Sequence, residues 1–350
     1  MVDGRTRRAG RAGAHVKVAV VGAGSWGTAV AALLTEHASP VLWARRADLA
    51  RAITREHANA EYLPGIALPP TLAATADLAE ACADADVIVM AVPSHGFRSV
   101  LAEAAPSIGV ETPVVSLAKG VEQGTLRRMT EVVGEELPAH RAERTGVLTG
   151  PNLAREVAEG QPAASVVACR DPATAVALQQ LFMTGTLRVY TNPDVVGCEL
   201  AGALKNVVAI AAGIAAGLGY GDNTRAALIT RGLAELARLG VALGGDPMTF
   251  SGLAGMGDLV ATCTSDKSRN RRVGVELGRG RSLDEIVRET KMVAEGVRTT
   301  AAVLELAGRA GVEVPIATMV GAVLYEGRRP ADLVPELMLR QAKPELHGMR

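Results

Sequence analysis

The stretch that decides the fold of this chain is Val16-Lys-Val-Ala-Val-Val-Gly-Ala-Gly-Ser-Trp-Gly-Thr28. Its first six residues form a β-branched run typical of a buried parallel strand, and the stretch 28–36 is typical of a helix. Between them, Gly22 permits a tight turn, Gly24 lets the backbone approach a pyrophosphate, and Gly27 lets helix and strand pack closely. Strand, glycine turn and helix in this order predict a dinucleotide site at the helix N-terminus. A purely structural turn is the alternative.

Strand-like and helical segments alternate along the first half of the chain. Short apolar runs typical of strands lie at 40–44, 85–92, 113–117, 145–148, 164–168 and 187–191. Such alternation predicts βαβ units and a parallel sheet. After about residue 195 only helical patterns remain, at 199–218, 226–243, 258–264, 283–290, 297–310 and 315–325. We therefore predict an α/β fold class, in which a Rossmann-type, mostly parallel sheet domain is followed by an all-helical C-terminal domain.

The length of the chain agrees with two domains. Its 350 residues exceed the ~250–300 at which a single hydrophobic core stops growing. The predicted units are a disordered N-terminal extension at 1–15, a dinucleotide-binding domain at 16–195 and a helical substrate-binding domain at 196–340. The extension is rich in arginine and has no apolar core, so it is not a secretory signal, and a transit peptide is its alternative interpretation.

Composition argues against several classes of protein. Lys+Arg and Asp+Glu number 37 each, so no net basic field favours nucleic acid, and the 3 Phe, 4 Tyr and 2 Trp offer little surface for base stacking. The longest uncharged helical run, 206–220, is shorter than the ~20 residues of a membrane span, so we expect no stable membrane insertion. The 4 cysteines form no CxxC or Cys/His cluster. We therefore expect no metal site, and reduced, mostly buried thiols in a cytoplasmic protein.

Arg45 and Arg46 end the second predicted strand, where a dinucleotide-binding sequence usually has an acidic residue for the ribose 2′-hydroxyl. A carboxylate would repel a 2′-phosphate, whereas guanidinium groups bind it in a fork. The two arginines therefore favour NADPH, with NADH as a second cofactor. Ordinary solvated charges at a strand end are the alternative.

Lys205 lies on a face of a predicted helix that is otherwise small and apolar. Its neighbours three and four positions away are Ala201, Gly202, Val208 and Ala209. A solvated lysine usually shares its face with polar residues, so we expect Lys205 to be buried beside a cavity, where desolvation lowers its pKa. A lysine at the helix surface is the alternative.

Two later segments have two interpretations each. The glycine-rich stretch 251–258 lacks the ending of a P-loop, and Asp258 is either a helix cap or a site residue. The run 265–272 has four cations in eight residues. It is either a solvated face or an anion site, in which Arg269 binds a phosphate in a fork and Asn270 donates an amide hydrogen bond.

Taken together, the residues from about Lys17 to Pro335 resemble the bacterial NAD(P)-dependent glycerol-3-phosphate dehydrogenase family. The resemblance rests on the glycine turn and on 59–65, 91–95, 116–122, 148–152, 203–206, 252–259 and 268–270. It implies the reversible reduction of dihydroxyacetone phosphate to sn-glycerol 3-phosphate, which supplies glycerophospholipid synthesis.

The same resemblance implies roles for individual residues. Lys205 is implied as the catalytic acid/base, supported by Lys119 and Asp258, and Lys119 is implied to touch both cofactor and substrate. The implied cofactor-binding residues are Gly22, Gly24, Ser25, Trp26, Gly27, Arg45, Arg46, Lys119, Ala154, Arg269, Val293 and Glu295. The implied substrate-binding residues are Lys119, Gly150, Asn152, Lys205, Asp258, Ser268, Arg269 and Asn270.

Two other functions stay open at this point. Another two-domain NADPH dehydrogenase, such as a β-hydroxyacid or ketopantoate reductase, would share the Rossmann domain and the helical lysine but would lack a phosphate site at Arg269 and Asn270. A dinucleotide sensor would bind NADPH without turnover, and the presence of Lys119, Lys205 and Asp258 argues against it. The expected partner is a small-molecule substrate. A homodimer, the strength of the NADPH preference and feedback regulation are left open by the sequence.

Overall fold

The structure, a computed structural model, describes residues 15–289, 295–342 and 344–345. Within them, one sheet contains the strands β1 Val16–Val21, β2 Ala38–Trp43, β3 Ala73–Thr75, β4 Val87–Met90, β5 Val114–Ser116, β6 Thr145–Thr149, β7 Ala163–Cys169 and β8 Leu187–Asn192. Their order across the sheet is β3-β2-β1-β4-β5-β6-β7-β8. All neighbours are parallel except β6 and β7, which are antiparallel. The predicted α/β class with a mostly parallel sheet is confirmed.

The strand order creates a crevice beside β1. From β1 the chain continues to β2 and β3 on one side and returns to β4 on the other, so the topological switch point lies between β1 and β4. Val21 of β1 is in register with Trp43 of β2 and with Met90 of β4. The carboxyl ends of these strands therefore meet at one edge, which is where open α/β sheets bind their ligands.

Helices cover both faces of the sheet and make up most of the described chain outside it. In order they are α1 Ser25–Leu34, α2 Ala47–Arg51, α3 Leu78–Cys82, α4 Ser94–Ala104, α5 Met129–Glu136, α6 Ala154–Ala158, α7 Pro172–Phe182, α8 Val195–Gly217, α9 Asp222–Ala242, α10 Pro247–Ser251, α11 Asp258–Thr264, α12 Arg269–Gly278, α13 Leu283–Glu289, α14 Glu295–Ala310, α15 Pro315–Tyr325 and α16 Pro330–Met338. The division predicted between residues 195 and 196 falls in the first turn of α8. The predicted extension at 1–15 lies outside the described residues except for its last residue.

The two faces of the sheet explain why β1 is apolar throughout its second half. Val18 and Val20 pack into the core on one face, and Ala19 and Val21 pack into the core on the other. None of the four is more than 1% exposed. A parallel strand covered by helices on both sides requires such a continuous apolar run rather than an alternating one.

Helix α8 is the centre of the helical half. It has 23 residues and, among the described helices, it alone is long and apolar enough to cross a membrane by length and composition. Its most apolar window is 89% buried inside the protein. Helices α9, α11, α12, α14 and α15 pack around it. The burial of this helix agrees with the core helix predicted there.

Helix α12 packs against α8 at backbone distance, through glycines on both helices. A Cβ on Gly274 would lie 2.1 Å from the carbonyl oxygen of Ile210 and 2.9 Å from the Cα of Gly213. One turn further, a Cβ on Gly278 would lie 2.9 Å from the Cα of Gly217. No side chain fits between the two backbones. The glycines therefore bring the first turn of α12 against the middle of α8.

The strands and helices predicted with bounds are confirmed to within a few residues. The structure gives bounds to the helices α2 to α7, expected only as helical segments between strands, and adds β3, α10, α12 and α16. Strand β3 has 3 residues and α10 has 5, which is too short for a periodic signal. Helix α12 contains two glycines, and α16 contains Pro335. Both residue types weaken a helical pattern, so neither segment was predicted as a helix. All 4 cysteines are buried with free thiols, as predicted.

Candidate active site

The glycine turn, residues 22–27, joins β1 to α1. Gly22 has a φ of +121°, and a Cβ on it would lie 2.8 Å from the carbonyl oxygen of Ala91. A Cβ on Gly27 would lie 2.0 Å from the carbonyl oxygen of Gly22. By contrast, a Cβ on Gly24 would meet nothing within 4 Å. The open side at Gly24, next to the N-terminus of α1, fits a pyrophosphate.

A buried asparagine attaches a second segment to the glycine turn. Asn59 is 0% exposed and donates to the Ala23 carbonyl oxygen at 3.0 Å and to Thr28 Oγ1 at 2.9 Å. The Ser25 hydroxyl donates to the Tyr62 carbonyl oxygen at 2.7 Å. These bonds fix the segment that begins at Asn59 against the first turn of α1.

The other predicted cofactor residues near the glycine turn occupy two different environments. Trp26 is half-buried and packs against the core of the sheet. Arg45 and Arg46 come directly after β2 and are exposed. The guanidinium of Arg46 forms ion pairs with Glu61 and Asp48. Both arginines thus lie at the strand end where a ribose is usually bound in this fold.

Lys119, Lys205, Asp258 and Thr262 come together as a buried group, here called the lysine cluster. The ammonium of Lys205 donates to Asp258 Oδ1 and, at 2.7 Å, to Thr262 Oγ1. The ammonium of Lys119 donates to Asp258 Oδ2 at 2.8 Å. One carboxylate therefore bridges two lysines. Lys205 is 5% exposed and Asp258 2% exposed, so the burial predicted for Lys205 is confirmed.

Three elements position the lysine cluster. Lys119 follows β5 at the carboxyl edge of the sheet, and Lys205 lies in the middle of α8. Asp258 opens α11, directly after a π-helical turn at Leu253–Gly257. Such π-helical turns are frequent at functional sites. The side chain of Asp258 pairs with both lysines, which favours the interpretation of Asp258 as a site residue over that of a helix cap.

Burial controls the protonation of Lys205. The pKa of this lysine falls to about 8, because burial, together with the positive charge of Lys119, outweighs the negative charge of Asp258. A lysine whose pKa lies near neutrality both holds and releases a proton under ordinary conditions. The lowered pKa predicted for Lys205 is confirmed.

Lys119 also reaches the loop after β6. Its ammonium donates to the Gly150 carbonyl oxygen at 3.1 Å and to Asn152 Oδ1 at 2.8 Å. Gly150 has a φ of +130°, and a Cβ there would lie 3.1 Å from the Cα of Ser165. Ala154 opens α6 two residues after Asn152. The structure thus brings Gly150 and Asn152 into contact with the lysine cluster.

The first turn of α12 is tied to α8 and α14. Ser268 is buried and caps α12, since its Oγ accepts the N–H three residues on. The amide of Asn270 donates to Asn206 Oδ1 at 2.9 Å and accepts from the Gly296 N–H at 3.0 Å. Asn270 therefore bridges three helices and uses one of its two amide N–H groups to do so.

Glu295, the first residue of α14, is influenced by the charges of Arg269 and of the lysine cluster. Burial raises the pKa of the Glu295 carboxyl, while the charges of Arg269, Lys119 and Lys205 act to lower it. The carboxyl is therefore within electrostatic range of all three cations. Arg269 is the exposed first residue of α12. Val293, predicted to bind the cofactor, lies outside the described residues.

Two residues of this site were not predicted. Thr262 accepts from Lys205, and the only signal for it in the sequence is its place four positions after Asp258 on one helix. Asn206 donates to the Lys119 carbonyl oxygen at 3.4 Å. It is adjacent to Lys205, but its two partners lie far away in the sequence.

The carboxyl edge of the sheet carries both parts of the site, because β1, β4, β5 and β6 are parallel to one another. The glycine turn follows β1, and Lys119 follows β5. Among the described residues, no group of three His, Cys, Asp or Glu is placed to hold a metal ion. A dinucleotide turn and a buried lysine of lowered pKa on the same edge define a class of protein, the Rossmann-type oxidoreductases that use a nicotinamide cofactor.

Comparisons with known proteins identify the family within this class. The chain belongs to the NAD-dependent glycerol-3-phosphate dehydrogenase family, whose N-terminal model matches residues 17–175 and whose C-terminal model matches residues 194–335. It is 55% identical over 333 residues to glycerol-3-phosphate dehydrogenase [NAD(P)+] 2 of Sphingopyxis alaskensis, covering 95% of this chain and 99% of that protein. It is 54% identical to the Thermobifida fusca glycerol-3-phosphate dehydrogenase [NAD(P)+], covering 95% and 99%.

A solved structure agrees with this family assignment. The crystal structure of glycerol-3-phosphate dehydrogenase from Coxiella burnetii matches the chain with a TM-score of 0.88 and 39% identity, covering 93% of this chain and 99% of that one. The chain is therefore an enzyme, an oxidoreductase with glycerol-3-phosphate dehydrogenase activity and a nicotinamide cofactor. The β-hydroxyacid or ketopantoate reductase and the dinucleotide sensor are set aside.

Proposed function

We propose that the chain reversibly reduces dihydroxyacetone phosphate to sn-glycerol 3-phosphate, with NADPH or NADH as the reductant. The lysine cluster is the main observation in support of this proposal. In it, the buried ammonium of Lys205 has a lowered pKa and lies at the same sheet edge as the glycine turn. Relatives at 54–55% identity, named for this dehydrogenase activity, support the choice of substrate.

Lys205 is the proposed proton donor. As a ketone is reduced, negative charge develops on its oxygen, and a protonated lysine stabilises that charge and then donates its proton. An ammonium has three N–H donors, and Asp258 and Thr262 accept two of those of Lys205. The third is available to the ketone oxygen. A bound nicotinamide supplies the hydride, and the protein supplies orientation and charge.

The charges of the site fit a phosphorylated substrate. Lys119 and Lys205 share the carboxylate of Asp258, and the Glu295 carboxyl is within electrostatic range of both lysines and of Arg269. Even with both carboxyls ionised, these three cations leave a net positive charge. Arg269 adds a cation at the exposed start of α12, and the second amide N–H of Asn270 is the proposed neutral donor to the phosphate. The remaining residues proposed to face the substrate are Gly150, Asn152 and Ser268.

The cofactor is proposed to bind along the same edge. The glycine turn and the N-terminus of α1 fit its pyrophosphate, and Arg45 and Arg46 stand at the strand end that reads the ribose, which favours NADPH over NADH. Further proposed contacts are Ser25, Trp26, Lys119, Ala154, Arg269, Val293 and Glu295.

An absorbance assay tests the proposed reaction. Purified chain and dihydroxyacetone phosphate are mixed with NADPH or NADH, and loss of reduced nicotinamide is followed. We expect turnover with both cofactors and at least ~10-fold lower kcat/KM with unphosphorylated dihydroxyacetone, because the phosphate contacts are then lost. Equal rates on the two ketones would contradict the proposed phosphate site.

The pKa of Lys205 predicts the pH dependence of the reaction. Reduction needs the protonated lysine, so kcat/KM for reduction should be high below pH 8 and fall as the pH rises through the lysine pKa of about 8. Oxidation of glycerol 3-phosphate needs the neutral lysine and should rise over the same range. Profiles of kcat/KM in both directions check this, and two profiles that do not change between about pH 7 and 9 would contradict it.

Arg269→Ala should mainly weaken substrate binding. Loss of a charge-assisted phosphate contact costs ~1.5–3 kcal/mol, so KM for dihydroxyacetone phosphate should rise by about 10- to 100-fold. Lys267→Ala is the matched control, because Lys267 belongs to the same cationic run, pairs with Glu156 at 3.0 Å and is not among the residues proposed to bind substrate. If both variants had the same KM for dihydroxyacetone phosphate, Arg269 would not bind the phosphate, and the run 265–272 would be a solvated face.

The wider role is proposed on the same basis. We propose that the chain works in the cytoplasm and supplies glycerol 3-phosphate for glycerophospholipid synthesis, with no nucleic acid or stable membrane insertion involved. The N-terminal unit at 16–195 would bind the cofactor and the helical unit at 196–340 the substrate. Light scattering of the purified chain decides whether it forms a homodimer.

A further inference from the structure

The two arginines after β2 differ in their surroundings. Arg46 Nη2 lies 2.5 Å from Glu61 Oε2, and its Nε lies 3.8 Å from Asp48 Oδ1. The side chains of Arg46 and Glu61 are 48% and 47% exposed. Arg45 is exposed and forms no ion pair with another described residue. One of the two cations at the ribose end is thus already paired with a carboxylate.

The position of Glu61 is fixed by the cofactor site itself. Asn59 is fully buried and bonds to the backbone of the glycine turn at Ala23, and the Tyr62 carbonyl oxygen accepts from Ser25 in the first turn of α1. Glu61 lies between these two anchored residues. Hydrogen bonds to the glycine turn and to α1 therefore hold the backbone on both sides of Glu61, and this places its carboxylate within reach of Arg46.

We propose that Glu61 is a cofactor-selectivity residue that limits the preference for NADPH. Its carboxylate competes with the ribose 2′-phosphate for Arg46 and repels that phosphate. With Glu61 ionised, its carboxylate at 2.5 Å offsets the charge of Arg46, so a 2′-phosphate gains little from that arginine, whereas Asp48 lies at 3.8 Å and is 66% exposed, so its effect is weaker. A carboxylate at the ribose also accepts a hydrogen bond from a 2′-hydroxyl, which favours NADH. This inference rests on the dinucleotide site of the proposed function.

The test uses binding rather than turnover. The dissociation constants of NADP+ and NAD+ are measured by titration calorimetry at low salt for the unsubstituted chain, for Glu61→Gln and for the control Asp48→Asn. Both variants remove one exposed carboxylate beside Arg46, but only Glu61 is held on the anchored segment. We expect Glu61→Gln to tighten NADP+ by about fivefold and to leave NAD+ unchanged or weaker, while Asp48→Asn changes both by less than about twofold.

Each other result overturns the inference in a distinct way. Weaker NADP+ binding by Glu61→Gln would mean that Glu61 orients Arg46 for the phosphate. If Glu61→Gln changed the dissociation constants of NADP+ and NAD+ equally, its effect on the nucleotide site would be a general one. If Glu61→Gln and Asp48→Asn had equal effects, the cause would be the loss of any surface charge near Arg46. If the unsubstituted chain bound neither nucleotide, the proposed function would fail together with the inference, whereas a failure of Glu61→Gln alone leaves the proposed function intact.

Discussion

Lys205→Met is expected to reduce kcat for ketone reduction by about 10³-fold or more while NADP+ affinity stays nearly unchanged. Loss of one preorganised donor to a developing oxyanion costs ~10²–10³ in rate, and loss of general-acid catalysis adds to it. Methionine keeps the length and apolar packing of a side chain that is 5% exposed. Asp258 keeps its ion pair with Lys119 at 2.8 Å, so the substitution leaves no isolated buried charge. The fold should therefore survive, as measured by the melting temperature.

Two further variants separate charge from proton transfer. Lys205→Arg keeps a positive charge, but arginine does not release its proton at neutral pH, so kcat should stay low. Lys119→Met retains Lys205 and should keep more activity than Lys205→Met. If Lys205→Met keeps more than about a tenth of the original kcat, the acid is another residue, and Lys119 is the first candidate.

The parts of the molecule that could be predicted from sequence are those decided by local geometry. The glycine turn is one, because each of its three glycines has its own steric reason to lack a side chain. In the structure, a Cβ on Gly22 or on Gly27 would overlap backbone atoms. The burial of Lys205 is another. Its neighbours on the helix, including Ala201 and Ala209, are small and apolar, and such a face packs against other elements rather than facing water.

The partners of these residues could not be predicted, because pairing depends on tertiary structure. Lys205 and Asp258 are 53 positions apart, and the packing of α11 against α8 brings them together. Lys119 and Asp258 are 139 positions apart, and they meet only because the loop after β5 lies beside the same helices. The ion pair of Arg46 with Glu61 likewise depends on hydrogen bonds made by Asn59 to a different element. Sequence patterns indicate which side chains are buried or charged, but not which charge faces which.

Gly274→Ala is expected to destabilise the chain and impair the site, although alanine is the better helix former by ~1 kcal/mol. The added Cβ would lie 2.1 Å from the Ile210 carbonyl oxygen on α8, where only backbone atoms are available to move. Relief of that overlap requires α12 to shift, at a cost of ~3 kcal/mol or more, so Tm should fall by about 5–10 °C. The shift would also displace Asn270 and Arg269 at the start of α12, so KM for dihydroxyacetone phosphate should rise.

Gly134→Ala is the matched control for this prediction. Gly134 lies inside α5, and a Cβ there would meet nothing within 4 Å. The same substitution at this position should therefore raise stability by ~0.4–1 kcal/mol, through helix propensity and a less flexible unfolded chain, and leave KM unchanged. If the two substitutions change Tm in opposite directions, contact with the backbone of α8, rather than helix propensity, is the reason that glycine is required at position 274. If Gly274→Ala also raises Tm, α12 does not pack on α8 at backbone distance, and the placement of Asn270 beside Asn206 would have to be revised with it.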